Sequence, residues 1–212
     1  METLLSQLSQ LSCSDLQTKL RDILLSMPTI PQINNRQFQF SEPAIQAAVL
    51  VPFLTINQEW HLLFIRRAID HHLHSGQVAF PGGQIEPNDP DPEFTALREA
   101  QEEIGLYPQD VTPVGQLPAL LTVTNYRIFP IVGIIPYPSP LKPNPLEVTR
   151  IFTIPIFWLA DKKNYKIVPR SVPPPVGIIQ TIYYTPYDGE ELWGASAQIV
   201  HTLISLLEQE TP

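Results

Sequence analysis

"GGQIEPNDPDPEFTALREAQEEIGL", residues 82–106, sets Glu86, Asp89, Asp91, Glu93, Glu99, Glu102 and Glu103 around a single base, Arg98. Acids at this density repel one another, so the stretch needs either an outside cation or a structural reason for each carboxylate. Asp91-Pro92 can start a helix, with Asp as N-cap, Pro at the first helical position and acids near the positive end of the dipole. Gly105 supplies a stop. The spacing predicts a helix over 92–104, with Gly82-Gly83 as a bend in the loop before it.

On a helix turning about 100° per residue with Leu97 at zero, Ala96, Ala100, Ile104 and Phe94 fall within roughly 100° and form the expected buried stripe. Glu102, Glu99 and Glu103 fall near 140°, 200° and 240° on that wheel and are expected together on the opposite side. Glu99 and Glu103 are a like-charged (i, i+4) pair, which costs a helix a few tenths of a kcal/mol. Three converging carboxylates suit a hard divalent cation, whose preferred ligands are oxygens. A solvated acidic face is the alternative for any Glu-rich helix. Against it stand the single base, the confinement of the acids to one arc, and the Gly-Gly pair, whose bare carbonyls can also ligate a cation.

Outward from this stretch, "AIQAAVLVPFLT" (44–55) and "HLLFIRRA" (61–68) read as two strands joined by a turn around "NQE". "TPVGQL", "RIFPIVGIIP" and "GIIQTIYYTPY" follow as further strands, and "IFTIPIFWLA" as strand then short helix. Leucines at 4, 5, 8, 11, 16 and 20 describe an amphipathic helix reaching about Met27, where Pro28 and Pro31 stop it. Ile199, Leu203, Leu206 and Leu207 mark a closing helix over 195–210. The expectation is an α+β fold, an α/β/α sandwich around a mixed sheet spanning 44–210, preceded by an N-terminal helical extension over 1–27.

The chain has 212 residues, enough for one large domain, and its 24 prolines, about twice ordinary usage, punctuate apolar runs without forming a repeat. A formal net charge of −8 argues against nucleic acid as partner. The start carries an acid at position 2 and no basic segment, and no apolar run reaches spanning length, so no membrane association is expected. With Cys13 alone an internal disulfide is excluded, which fits a reducing, cytoplasmic compartment. "DHHLH" (70–74) lacks the Cys or further His that would complete a zinc site. Trp60, Trp158 and Trp193 read as packing residues before adenine platforms.

The acidic stretch resembles the Nudix box. That pattern runs Gly, five residues, Glu, seven residues, Arg-Glu, an aliphatic, any residue, Glu-Glu, any residue, Gly, an aliphatic. Gly83 opens it and "REAQEEIGL" (98–106) follows its second half, with Ala100 in the aliphatic slot. Asp89 stands in the first acidic slot, and one extra residue separates it from Arg98. Both departures are similar to those of the coenzyme A pyrophosphatase branch, as are Arg67 and "HSGQVAFPGG" (74–83). His72 departs from that branch, which usually has an arginine there.

The resemblance implies hydrolysis of a diphosphate bond in a small-molecule nucleotide, most of all coenzyme A or an acyl-coenzyme A, with Mg2+ or Mn2+. Glu99 and Glu103 with the Gly83 carbonyl would hold the metal, and Glu102 would be a further ligand or the general base. Arg98, grouped with this catalytic set, would pair with a box carboxylate to fix the loop. Arg66, Arg67 and His72 are the candidate substrate-binding residues. Other substrates in view are ADP-ribose, NADH and dinucleoside polyphosphates. A non-catalytic nucleotide-binding regulator on the same fold is the other class, and the first helix is a candidate homodimer contact.

Overall fold

The computed structural model describes residues 3–26, 42–69, 76–174 and 176–209. The N-terminal helix is broken, against expectation. A short α1 (Leu4–Gln7) runs through a 3-10 turn, and α2 (Cys13–Leu25) starts afresh. Ser12 is the reason: it is extended, and its hydroxyl accepts the Asp15 amide at 3.2 Å as an N-cap. Leu4, Leu8, Leu16 and Leu20 are buried in the same core as the sheet.

The strands β1 (Ile45–Ile56) and β2 (Glu59–Arg67) form a hairpin across Asn57-Gln58, both at positive φ. Then come β3 (Val78–Ala79), β4 (Gly82–Gln84), α3 (Pro92–Ile104), β5 (Thr112–Gln116), β6 (Leu120–Leu121) and β7 (Tyr126–Ile134). The chain closes with β8 (Val148–Pro155), α4 (Ile156–Ala160), β9 (Tyr165–Val172), β10 (Gly177–Tyr184) and α5 (Gly194–Leu207).

The main sheet is mixed. Its path is β3-β2-β1-β7-β5, with β8 paired to β2, β6 to β7 and β4 to β1. The central β1 runs parallel to β7 and antiparallel to β2 and β4. Period-2 alternation sorts its side chains between two cores. Ala48, Leu50, Leu54, Leu63 and Ile65 pack with Ala96, Ala100 and Ile104 of α3. Val51, Phe53, Leu62 and Phe64 pack with α5 and the N-terminal leucines. Helices thus cover both faces of the sheet, the α/β/α arrangement expected from the sequence.

Two local readings are corrected. Gly82-Gly83 lies in a strand, not a free bend: Gly82 opposes Val49 and Gly83 opposes Ala48. A Cβ on Gly82 would sit 2.3 Å from the Ala48 carbonyl oxygen, so glycine is what permits this close pairing. The β9–β10 hairpin is a separate two-stranded sheet, and β9, "YKIVPRSV", was not anticipated. It is largely exposed and carries Lys, Pro and Arg, so it lacks the apolar alternation that marks a half-buried strand.

Candidate active site

The acidic stretch folds as its caps dictate. Asp91 Oδ1 accepts the Phe94 amide at 2.8 Å, Pro92 opens α3, and Gly105 ends it in the left-handed conformation at φ 68°. The buried face, however, is rotated from the expected one. It consists of Thr95, Ala96, Ala100, Glu103 and Ile104, while Leu97 is half-buried and Phe94 is 47% exposed. Glu103 therefore leaves the solvent arc and joins the helix face against the sheet.

Glu103 is 1% exposed. Its carboxylate accepts the Gly82 amide at 2.9 Å and an Arg67 Nη1–H at 3.2 Å. Burial pushes its pKa up to about 7; the Gly82 amide and Arg67 pull it down, and the Glu99 and Glu147 charges raise it further. Glu99 is partly buried and also raised, first by desolvation, with Arg98 opposing. Gly83 lies directly against it, since a Cβ there would be 2.4 Å from the Glu99 carboxylate.

Arg98 is tied down on several sides. Its Nε and Nη2 donate to the two oxygens of Asp89 at 3.3 and 3.0 Å, and Nη2 also donates to the Gln84 carbonyl at 3.2 Å. Nη1 donates to Glu99 at 2.9 Å and Glu102 at 3.2 Å. Asp89 further accepts the Glu86 amide and the Thr95 hydroxyl. The hydrogen bond from Arg98 leads the effects that hold its carboxyl down to about 2. This network fastens the 84–91 loop onto α3.

A cleft of about 680 Å3 opens beside these groups. Arg67, Gly83, Glu99, Glu103 and Glu147 line it. Glu102 does not, being 54% exposed and turned to Arg98. Arg66 is also elsewhere, 3.6 Å from Glu190. Arg66 and Arg67 are drawn to different acids, Glu190 and Glu103, at a point where the β2–β8 register is irregular. His72 lies outside the described residues. Glu147 was not singled out from the sequence, and an acid in the proline-rich run "KPNPLEV" gives no local signal for it.

Among the described residues no three His, Cys, Asp or Glu side chains form a ready-made ligand cluster. The donor set still fits a hard divalent cation that keeps coordination positions for water and phosphate. Glu99, Glu103 and Glu147 crowd negative charge around one cleft wall, and Gly83 leaves the space beside Glu99 free of a side chain.

Residues 44–155 match the NUDIX domain. The chain is 34% identical over 179 residues to the Nudix hydrolase NudL of Yersinia pestis (strain Pestoides F), across 84% of this chain and 88% of that one. The same figures hold for NudL of Yersinia pseudotuberculosis serotype O:3 (strain YPIII). Among solved structures, a MutT/nudix family protein from Enterococcus faecalis overlaps 94% of this chain and 68% of its own at 15% identity and a TM-score of 0.46. The chain belongs to the Nudix hydrolase family, enzymes that act on phosphorus-containing anhydrides in nucleotide derivatives. Nudix hydrolases generally work with a divalent metal ion, typically Mg2+ or Mn2+. Among the described residues no helix is long and apolar enough to cross a membrane.

Proposed function

We propose that this chain is a divalent-metal-dependent diphosphatase of coenzyme A or its thioesters, producing 4′-phosphopantetheine (or its acyl form) and adenosine 3′,5′-bisphosphate. The observation that carries the metal-dependent reading is the buried Glu103, which with Glu99 lines the cleft beside Gly83. The branch resemblance of Arg67 and "HSGQVAFPGG" supports the substrate.

Glu99 and Glu103, with the Gly83 carbonyl, would hold Mg2+ or Mn2+. The bound ion would neutralise charge on the diphosphate and acidify water. Glu102 is turned to Arg98, and we assign it to holding Arg98 rather than to the base. Glu147, the remaining carboxylate lining the cleft, orients the attacking water and accepts its proton. The water oxygen bonds to one phosphorus, the bridging P–O bond breaks, and each product keeps one of the two diphosphate phosphorus atoms, the adenosine product retaining its 3′-phosphate as well. Arg67 steadies Glu103 and presents its remaining N–H groups to a phosphate oxygen. Arg98 and Asp89 keep the 84–91 loop in register with these groups.

His72 in place of the branch's usual arginine favours a second reading, a diphosphatase for ADP-ribose, NADH or a dinucleoside polyphosphate. The test is kcat/KM for coenzyme A, an acyl-coenzyme A, ADP-ribose, NADH and a dinucleoside polyphosphate with Mg2+. Coenzyme A or its thioester should lead, and His72→Arg should improve it selectively. A tenfold lead for any of the other substrates would overturn the substrate assignment and leave the metal-dependent diphosphatase standing.

A further inference from the structure

We propose that Arg170, held over the Trp193 ring, is a specificity residue that recognises a second, phosphomonoester group of the substrate, separate from the diphosphate. The inference deepens the reading above, since it needs a nucleotide substrate that carries such a group.

Among the described residues two arginines line the cleft, Arg67 and Arg170. Arg67 is paired with Glu103. Arg170 forms no salt bridge among the described residues, although the chain carries a net charge of −8. Its guanidinium carbon lies 5.0 Å from the Trp193 ring centroid. Trp193 in turn stacks on Tyr183 with centroids 5.6 Å apart and planes within 2°. Cation–π contact fixes the plane of the guanidinium while leaving its N–H groups unneutralised. A planar fork of that kind matches a phosphate bidentately.

The same wall also carries polar atoms that its own contacts leave unspent. Thr181 and Gln198 line the cleft and are 4% and 9% exposed, yet Thr181 Oγ1 and Gln198 Nε2 have no hydrogen-bond partner among the described residues. Buried polar atoms are ordinarily paired, so two unspent ones directly behind the cleft lining leave this wall with hydrogen-bonding capacity that the described residues do not satisfy. Gln198 also borders a separate void of about 10 Å3, room for one water, whereas Thr181 does not border that void. The cleft volume, about 680 Å3, far exceeds what a diphosphate fills, so the rest of the substrate must reach this wall.

The test is calorimetric titration of the full chain, with Mg2+ present, with adenosine 3′,5′-bisphosphate and adenosine 5′-monophosphate. Neither contains a diphosphate bond, so binding is read apart from turnover. Wild type should bind the bisphosphate at least tenfold more tightly. Arg170→Ala should bring the ratio near one, and Arg170→Lys, which keeps the charge without the fork, should leave it in between. Equal binding of both ligands by wild type would overturn the proposal. So would an Arg170→Ala variant of native melting temperature that keeps the ratio, or one that weakens both ligands by the same factor. If the substrate comparison fails while the ratio and its loss persist, the coenzyme A assignment falls and Arg170 remains a phosphomonoester-binding residue whose substrate lies outside that panel; the converse result removes Arg170 alone.

Discussion

The Glu103 carboxylate accepts the Gly82 amide hydrogen at 2.9 Å, tying the last turn of α3 to the short strand β4. Strand and helix thereby fix each other at the point where the metal would sit. The same carboxylate holds Arg67 of β2, so three elements meet on one acid that is almost wholly removed from water. Even with Arg67 beside it, an ionised carboxylate so removed from water is under strain that a metal ion would relieve.

Glu103→Gln should therefore lower kcat on the order of a hundredfold, the scale for losing a key electrostatic group. Its effect on stability reports the same strain. Because the folded pKa of Glu103 is raised to about 7 from a usual 4.5, its contribution is fully present below about pH 4.5 and lost as pH rises through 7. In metal-free buffer that loss is about 3 kcal/mol in wild type. Melting temperatures in EDTA at pH 5 and pH 8 should separate by several degrees more for wild type than for Glu103→Gln. Parallel curves would mean that Glu103 is not the strained group.

The two glycines of β4 should fail in different ways. A Cβ on Gly82 meets backbone, the Ala48 carbonyl oxygen at 2.3 Å, which cannot move without parting β4 from β1. A Cβ on Gly83 meets the end of a flexible side chain, the Glu99 carboxylate at 2.4 Å. Gly82→Ala should lower the melting temperature markedly, whereas Gly83→Ala should melt near wild type and lose at least tenfold in kcat by displacing Glu99. Differential scanning calorimetry with kinetics distinguishes the two, and a stable, fully active Gly83→Ala would refute the role given to that contact.

Arg98 donates to Asp89, Glu99, Glu102 and the Gln84 carbonyl, so its removal leaves several acceptors without a donor. Arg98→Lys keeps a charge but not the fork that spans both Asp89 oxygens. Both Arg98→Ala and Arg98→Lys should lower the melting temperature by a few degrees and raise amide exchange across residues 84–91. Protection equal to wild type in that loop would contradict its being fastened by Arg98.

Glu147 and Glu102 are told apart by kinetics. Glu147→Gln should reduce kcat by about a hundredfold with KM little changed, the scale of a lost general base. Glu102→Gln should cost about tenfold or less, through a loosened Arg98. The opposite ranking would return the base to Glu102.

Much of this was legible in the sequence, for reasons that are local. Asp91-Pro92 and Gly105 bound α3 because caps act within a few residues, and both hairpin strands of β1 and β2 carry their own apolar patterns. The buried face of α3 differs from the expected one because the large Leu97 is not its centre. The wheel itself puts Glu103 only about 20° from Ala96, and the small Ala96 and Ala100 are what let the helix approach the sheet. No local pattern reveals that Glu103 finds donors 21 and 36 residues away. The break at Ser12 was readable, since Ser-Cys-Ser-Asp is an N-cap signature that leucine periodicity obscured. The cleft wall bearing Arg170, Thr181 and Trp193 was not, because tertiary folding alone brings residues of β9, β10 and α5 to the cleft that the α3 carboxylates also line.

The most direct test of the account is to incubate coenzyme A with the chain in Mg2+, in EDTA, and with the Glu103→Gln variant in Mg2+, reading products by mass. The account predicts 4′-phosphopantetheine and adenosine 3′,5′-bisphosphate in the first case, and a rate lower by a hundredfold or more in the other two. The same two products forming at the wild-type rate in EDTA, or with Glu103→Gln, would contradict it.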